Sequence, residues 1–283
     1  MALDFLITDP PTGLRPAAST PGVWFASGGQ MLLGVLHVPA GPGPHPVVVL
    51  LHGFPGFERN FDLAQALRRA GYAALVFHYR GSWGVAGCWS WRHVLDDAAR
   101  VVAAMREEAM SVAHRLDPRR LAVVGHSLGG FAALMTAAAD PTIGAVVSVA
   151  GFDFGTAAAA SRADPVVRSA YVEAFNGELL PLRGTTGEAL VAEMETAGAA
   201  WSLARLAPRL ADRPVMLIGT SRDNVTPAAV HHQPVVEAYQ AHPVPSRTFL
   251  ASSILVTVWD PGPSVLICGN PACRSCLGLV ENL

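Results

Sequence analysis

Leu121 to Leu134 reads LAVVGHSLGGFAAL. Its first half is an apolar run without polar alternation, the pattern of a strand covered on both faces of a parallel sheet. Its second half continues in small and apolar residues as a helix. Between the halves, Gly125-His126-Ser127-Leu128-Gly129 matches G-x-S-x-G. A chain that turns from strand to helix across one residue holds that residue in a strained conformation. Small residues two places before and after let the strand and helix approach each other. The Ser127 hydroxyl then projects from the sheet edge beside a helix N-terminus, where developing negative charge is favoured. The five-residue pattern alone arises by chance, but its strand-turn-helix setting marks Ser127 as a candidate nucleophile rather than part of an ordinary glycine-rich turn.

Reading outward, the same alternation repeats. Val23 to Val38 holds two short apolar segments around Ser27, Gly28 and Gly29, which predicts an antiparallel hairpin. VVVLLHG follows as a central strand, then a helix over about Glu58 to Ala70 with Gly71 as its stop. Strand AALVFHY, a helix from about Trp91 to Met110, the elbow unit and strand IGAVVSVAG come next. Alternation of this kind argues for βαβ crossovers and a mainly parallel sheet. From about 155 to 211 the pattern changes to alanine-rich helical segments broken by Pro165, Pro181 and Gly184, which reads as a helical insertion. Strand PVMLIGT, a helix over about Pro227 to Ala241 and strand SRTFLA then complete the sequence pattern.

Composition bounds the alternatives. The chain has 283 residues, half of them hydrophobic and 15% charged, which suits one large α/β domain and is incompatible with disorder. All twenty basic residues are arginines, dispersed rather than clustered, and the formal charge is −2, so no nucleic-acid surface is expected. No apolar run approaches the ~20 residues of a membrane span. Asp4 and Asp9 without a basic cluster do not fit a secretory signal, so a cytoplasmic location is expected. Cys88 reads as a small buried residue. Cys268, Cys273 and Cys276 lack the paired C-x2-C spacing of zinc sites, and no metal is expected.

These motifs resemble the α/β-hydrolase fold family, its serine esterase and serine peptidase-like branch, over roughly Val23 to Ala251. The resemblance implies a mainly parallel sheet of about eight strands, helices on both faces, and a small helical insertion before the acid strand. His52-Gly53-Phe54-Pro55-Gly56 occupies the place of the family's His-Gly motif. By resemblance the N–H groups of Phe54 and Leu128 form the oxyanion hole, while His52 is expected to bond within its loop. Phe77 to Gly87, FHYRGSWGVAG, is similar to a strand-end loop in these enzymes, so Arg80, Ser82 and Trp83 are substrate-lining candidates, packing within the loop being the alternative. Asp223 in VMLIGTSRDNVTP stands where the family has its acid, with a helix cap or a solvated charge as alternatives and Asp153 as fallback. The implied reaction is hydrolysis of a carboxylic ester, or a peptide amide, through a Ser127 acyl-enzyme without metal or organic cofactor.

The family order is serine, acid, histidine. The last histidine here is His242, ahead of the expected last strand. His231 and His232 fall within the helix after Asp223 and are expected to pack or face solvent, and His242 is expected at the sheet's amino edge. Residues 1–251 therefore read as the hydrolase domain and 252–283 as an atypical tail, with strand-like ILVTV and SVLI and no helical stripe. A shifted reading frame near Ser252 is one explanation of the tail. A native variant that has lost catalysis and acts as a binding or interaction protein is the other.

Overall fold

The computed structural model describes residues 9–57, 60–220, 222–242, 255–259 and 266–268. Strands β1 (Gly22–Ser27) and β2 (Gln30–His37) form the predicted hairpin, with Ser27 opposite Gln30. Gly28 (φ 54) and Gly29 (φ 76) carry the two-residue turn, since both central positions take positive φ. Then come β3 (His45–Leu51), α1 (Phe61–Arg69), β4 (Ala73–Phe77), α2 (Trp91–Ala104), α3 (Glu108–His114), β5 (Leu116–His126), α4 (Leu128–Ala139) and β6 (Ala145–Val149). The insertion is α5 (Phe154–Ala163), α6 (Pro165–Gly177), α7 (Gly187–Ala197) and two 3-10 turns, Gly198–Trp201 and Ala204–Arg209. β7 (Val215–Thr220), α8 (Ala228–His231), α9 (Gln233–Gln240), β8 (Leu255–Trp259) and β9 (Leu266–Cys268) complete the described elements.

The described strands form one nine-stranded sheet, ordered β1-β2-β4-β3-β5-β6-β7-β8-β9, close to the expected eight. β4, β3, β5, β6, β7 and β8 run parallel, whereas β1, β2 and β9 are antiparallel additions at the two edges. The central strands β4 and β3 are buried at every residue but Pro46, as their unbroken Val, Leu and Ala runs require. Parallel strands with βα connections bring all their carboxyl ends to one side. Ser127, Asp153 and Asp223 each follow such an end, after β5, β6 and β7.

Two expected helices are divided. The segment from Trp91 onward ends at Ala104, and α3 restarts at Glu108. The helix after Asp223 breaks between His231 and Gln233, because Pro234 has no N–H for a continuous ladder and sits in the first turn of α9 instead. The strand expected at 246–251 lies outside the described residues. The strand beside β7 is β8, taken from the ILVTV run, and β9 overlaps the SVLI run. No described helix is long and apolar enough to cross a membrane.

Candidate active site

Ser127 has φ 54 and ψ −118, a region that a side-chain-bearing residue enters only where its surroundings hold it there. Those surroundings are visible. Ser127 N–H donates to Val149 O at 2.8 Å, and its carbonyl accepts from Phe131 N–H at 3.1 Å and Phe152 N–H at 3.3 Å. The flanking glycines are sterically required. A Cβ on Gly125 would stand 1.9 Å from Gly129 O, and one on Gly129 would stand 1.9 Å from Leu51 O. Strand, turn and helix are thus in backbone contact. The Ser127 side chain makes no capping hydrogen bond to α4, so its hydroxyl is not engaged in holding the helix.

The contact of Gly129 with Leu51 also joins the elbow to the loop after β3. A Cβ at Gly129 would meet His52 O at 2.8 Å as well, so the first turn of α4 lies directly against the start of the 52–56 loop. Leu128 N–H belongs to the first turn of α4, whose amides the helix itself leaves unsatisfied. Phe54 N–H has no hydrogen-bond partner among the described residues. Pro55 has no N–H to contribute. His52 is buried and its Nδ1 lies 2.8 Å from Gly53 O, so the ring holds the loop. A chain of rings connects the two sides: Phe131 meets Phe154 at 4.6 Å, Phe154 meets Trp91 at 4.9 Å, and Trp91 meets Phe54 at 5.0 Å. Phe175 of α6 packs on Phe54 at 5.7 Å, so the insertion covers this loop.

The acid side is arranged differently. Asp223 accepts from Val225 N–H and Thr226 N–H, both at 2.8 Å, and from the Thr226 hydroxyl. Burial works against its charge, but the Thr226 hydroxyl and these amides outweigh it, helped by His126, and hold the carboxyl below its ordinary range. Asp153 is buried, caps α5 through Thr156 N–H at 3.0 Å, and accepts from Leu203 N–H at 3.2 Å. Burial raises its pKa against the pull of those amides.

His231 bonds to the Asp153 backbone. Its ring is buried and stacks on Phe152 with centroids 4.5 Å apart. The Asp153 N–H donates to its Nδ1 at 3.1 Å. A backbone N–H can only donate, so Nδ1 is the acceptor and the neutral ring carries its hydrogen on Nε2. A triad base needs the reverse, with Nδ1–H facing the acid and Nε2 open to the serine. Burial pushes the ring down to about 4, partly countered by the charge of Asp223, so it stays neutral near pH 7. His232 is buried against Gly219, and His242 is exposed at the end of α9 with Nδ1 3.1 Å from Ala238 O.

The Phe77–Gly87 loop divides its candidates. Arg80 turns inward: its Nε and Nη2 lie 2.8 and 2.7 Å from Asp97 Oδ1, and Ser27 Oγ donates to the same oxygen at 2.6 Å. The Ser82 hydroxyl donates to Tyr79 O at 2.7 Å and is buried. Trp83 alone of the three faces an open groove. Sequence reading did not find the Arg80–Asp97–Ser27 cluster, because its members are separated by 17 to 70 positions. Cys88 corrects an expectation: it is exposed rather than buried, because it lies on the outer loop where its carbonyl meets the His93 ring. The side chains of Cys268, Cys273 and Cys276 lie outside the described residues. Among the described residues no cluster of three metal-ligating side chains occurs.

An elbow held in this way at the end of a parallel strand, facing a loop with a free amide, defines an α/β-hydrolase architecture. The family model for the alpha/beta hydrolase fold matches residues 46–270, and the chain belongs to that family. It is 31% identical over 149 residues to an uncharacterized 31.7 kDa protein of Escherichia coli, covering 49% of each chain. It is 28% identical over 118 residues to 2,6-dihydropseudooxynicotine hydrolase of Paenarthrobacter nicotinovorans, covering 41% of this chain and 31% of that one. The matches therefore span half or less of these relatives' length. Among solved structures, a 2,6-dihydroxy-pseudo-oxynicotine hydrolase superposes with a TM-score of 0.58 at 20% identity, over 87% of this chain and 62% of the other. An esterase from Pyrococcus furiosus gives a TM-score of 0.58 at 15% identity, over 83% and 85%.

Proposed function

We propose that the chain is a serine hydrolase acting on a carboxylic ester, or less readily on a peptide amide, with Ser127 as nucleophile. The strained backbone of Ser127 carries this reading, since such strain at a side-chain-bearing residue costs on the order of 1–3 kcal/mol and persists where the surrounding structure imposes it. Ser127 Oγ attacks the carbonyl carbon, and the Phe54 and Leu128 N–H groups receive the developing oxyanion. Asp223 supplies fixed negative charge at the acid position. Residues 243–283 hold no histidine to accept the hydroxyl proton. It passes to solvent, so acylation is slow and quickens with rising pH. The hydrolase-named relatives support the reaction class.

A second reading is a hydrolase-fold protein that binds without turnover. The hydrogen bond from Asp153 N–H to His231 Nδ1 favours it, because this ring cannot replace the base in that tautomer. A fluorophosphonate probe decides between the two. Labelling of the intact chain that disappears in Ser127→Ala supports the hydrolase. Absence of labelling in a folded chain favours binding without turnover. Labelling restored by a tail carrying a histidine after Ala251 identifies lost catalysis as the reason.

A further inference from the structure

A groove of about 410 Å³ opens between the Trp83 loop and the segment joining α6 to α7, a size within the range of roughly 300–1,000 Å³ that takes small ligands. Phe57, Trp83, Leu180, Pro181, Leu182 and Arg183 line it. Its walls are apolar and open to solvent, with Phe57 56% and Leu180 96% exposed. Arg183 is the only charged residue among the described lining residues. Its backbone is fixed on both sides, its N–H donating to Gly81 O at 2.9 Å and its carbonyl accepting from Trp89 N–H at 2.8 Å. Its guanidinium has no carboxylate partner among the described residues, whereas Arg80, Arg106, Arg120 and Arg213 each have one.

The groove is continuous with the oxyanion loop. Trp83 Nε1 donates to Pro55 O at 2.9 Å, and the Phe57 ring meets the Trp83 ring edge-on at 5.6 Å. A Cβ at Gly56 would stand 2.8 Å from Trp83 Nε1, so the indole lies directly on the loop that presents Phe54 N–H. A ligand in the groove thus lies along the loop whose amide faces the reacting carbonyl.

We propose that this groove is a subsite for the apolar arm of a substrate that ends in a carboxylate, with Arg183 pairing the carboxylate. The apolar walls select an aliphatic or aromatic chain, and the planar guanidinium fork matches a carboxylate. A single cation suits a monoanion better than a phosphate dianion. The word substrate rests on the Ser127 reading, but binding to the groove does not.

The test is calorimetric titration of the full chain with decanoate, decan-1-ol and decyltrimethylammonium below their aggregation concentrations. Decanoate should bind at 1:1 stoichiometry about tenfold more tightly than decan-1-ol, the scale of one charge-assisted contact at a partly solvated site. Arg183→Leu should remove that preference and leave decan-1-ol within about twofold. Leu180→Asp, at a side chain too exposed to affect folding, should weaken decanoate about tenfold through like charge. Equal binding of decanoate and decan-1-ol, decanoate affinity unchanged in Arg183→Leu, or no saturable decanoate binding would each overturn the subsite. Fluorophosphonate labelling of Ser127 is read separately, and its failure removes the hydrolase reading while the titration still decides the groove.

Discussion

The two sides of the site differ in how completely they are built. On the nucleophile side, Gly125, Gly129, Leu51 and His52 approach at backbone contact distance, and a chain of aromatic rings ties the Phe54 loop to Phe131 of α4. On the acid side, the polar groups bond to their own neighbourhoods. Asp223 holds the Thr226 turn, Asp153 caps α5, and His231 receives the Asp153 amide. The difference teaches that backbone geometry for an oxyanion and side-chain geometry for proton transfer are separate properties of this fold. The first is secured by packing, and the second depends on one imidazole in the right tautomer.

The largest expected effect separates the sides chemically. In well-studied triads, an oxyanion hole and binding alone leave an acceleration of roughly 10³–10⁴ over water. Ser127→Ala should erase any such residual ester hydrolysis together with the labelling, measured with an activated ester across pH 7 to 9. After subtraction of imidazole's own hydrolysis of the ester, measured without protein, wild-type activity should rise with added imidazole and Ser127→Ala activity should not. An identical imidazole response in both would show that the elbow contributes nothing.

Next comes a break of the nucleophile side by volume alone. In Gly129→Ala the new Cβ meets Leu51 O and His52 O, backbone atoms that cannot rotate away. Overpacking against backbone should cost about 3 kcal/mol, read as a lowered urea midpoint. Gly177→Ala, at the end of α6 with open space around it, is the control and should not lower that midpoint.

Much of the nucleophile side was legible because its information is local. G-x-S-x-G fixes a strand, a turn and a helix within a few residues, and Gly28-Gly29 fixes a two-residue hairpin in the same way. The acid side was legible only as positions. That Asp223 follows β7 could be read from alternation, but that its carboxylate faces Thr226, or that His231 bonds to Asp153, depends on contacts between distant segments. Arg80 shows the limit most directly, since a charged residue at a strand end looks like a substrate contact until Asp97 arrives from α2. The strand beside β7 could not be placed because residues 249–259 hold two apolar, strand-like runs, Phe249 to Ala251 and Ile254 to Trp259, separated only by Ser252 and Ser253, so either run fits a strand.

His231 gives a pH test of the acid side. Its folded pKa, about 4, lies below its ordinary 6.5, so between those values the unfolded chain binds more protons than the folded one. Its contribution is fully present above about pH 6.5 and is lost on acidification toward pH 4, by about 3 kcal/mol at one unit per 1.36 kcal/mol. His37, His45 and His232 are lowered too and add to the slope in the same direction. His231→Asn keeps an acceptor for Asp153 N–H but cannot take the proton. Its urea stability should therefore fall less than wild type between pH 7 and pH 4.5, and equal slopes would place the ring in solvent rather than under Phe152.

The smallest expected effect concerns what Asp223 is for. If its carboxylate serves mainly to hold the turn into α8, Thr226→Val removes the one hydroxyl donor and leaves the two amides in place. A hydrogen bond to a charged group contributes about 1.5–3 kcal/mol when buried, and this half-buried carboxylate should lose about 1 kcal/mol. The sign follows from its lowered pKa: the contribution is present above the ordinary carboxylate pKa and is lost as pH falls through the folded value. The variant should thus be weaker than wild type at pH 7, and the gap should close as pH falls below the ordinary carboxylate range and the carboxyl protonates in both proteins. If Asp223 only holds the turn into α8, labelling at Ser127 should be unchanged in Thr226→Val. A labelling rate that falls together with the stability would mean that Asp223 already acts on Ser127 through a proton path, and the two sides would then be one site.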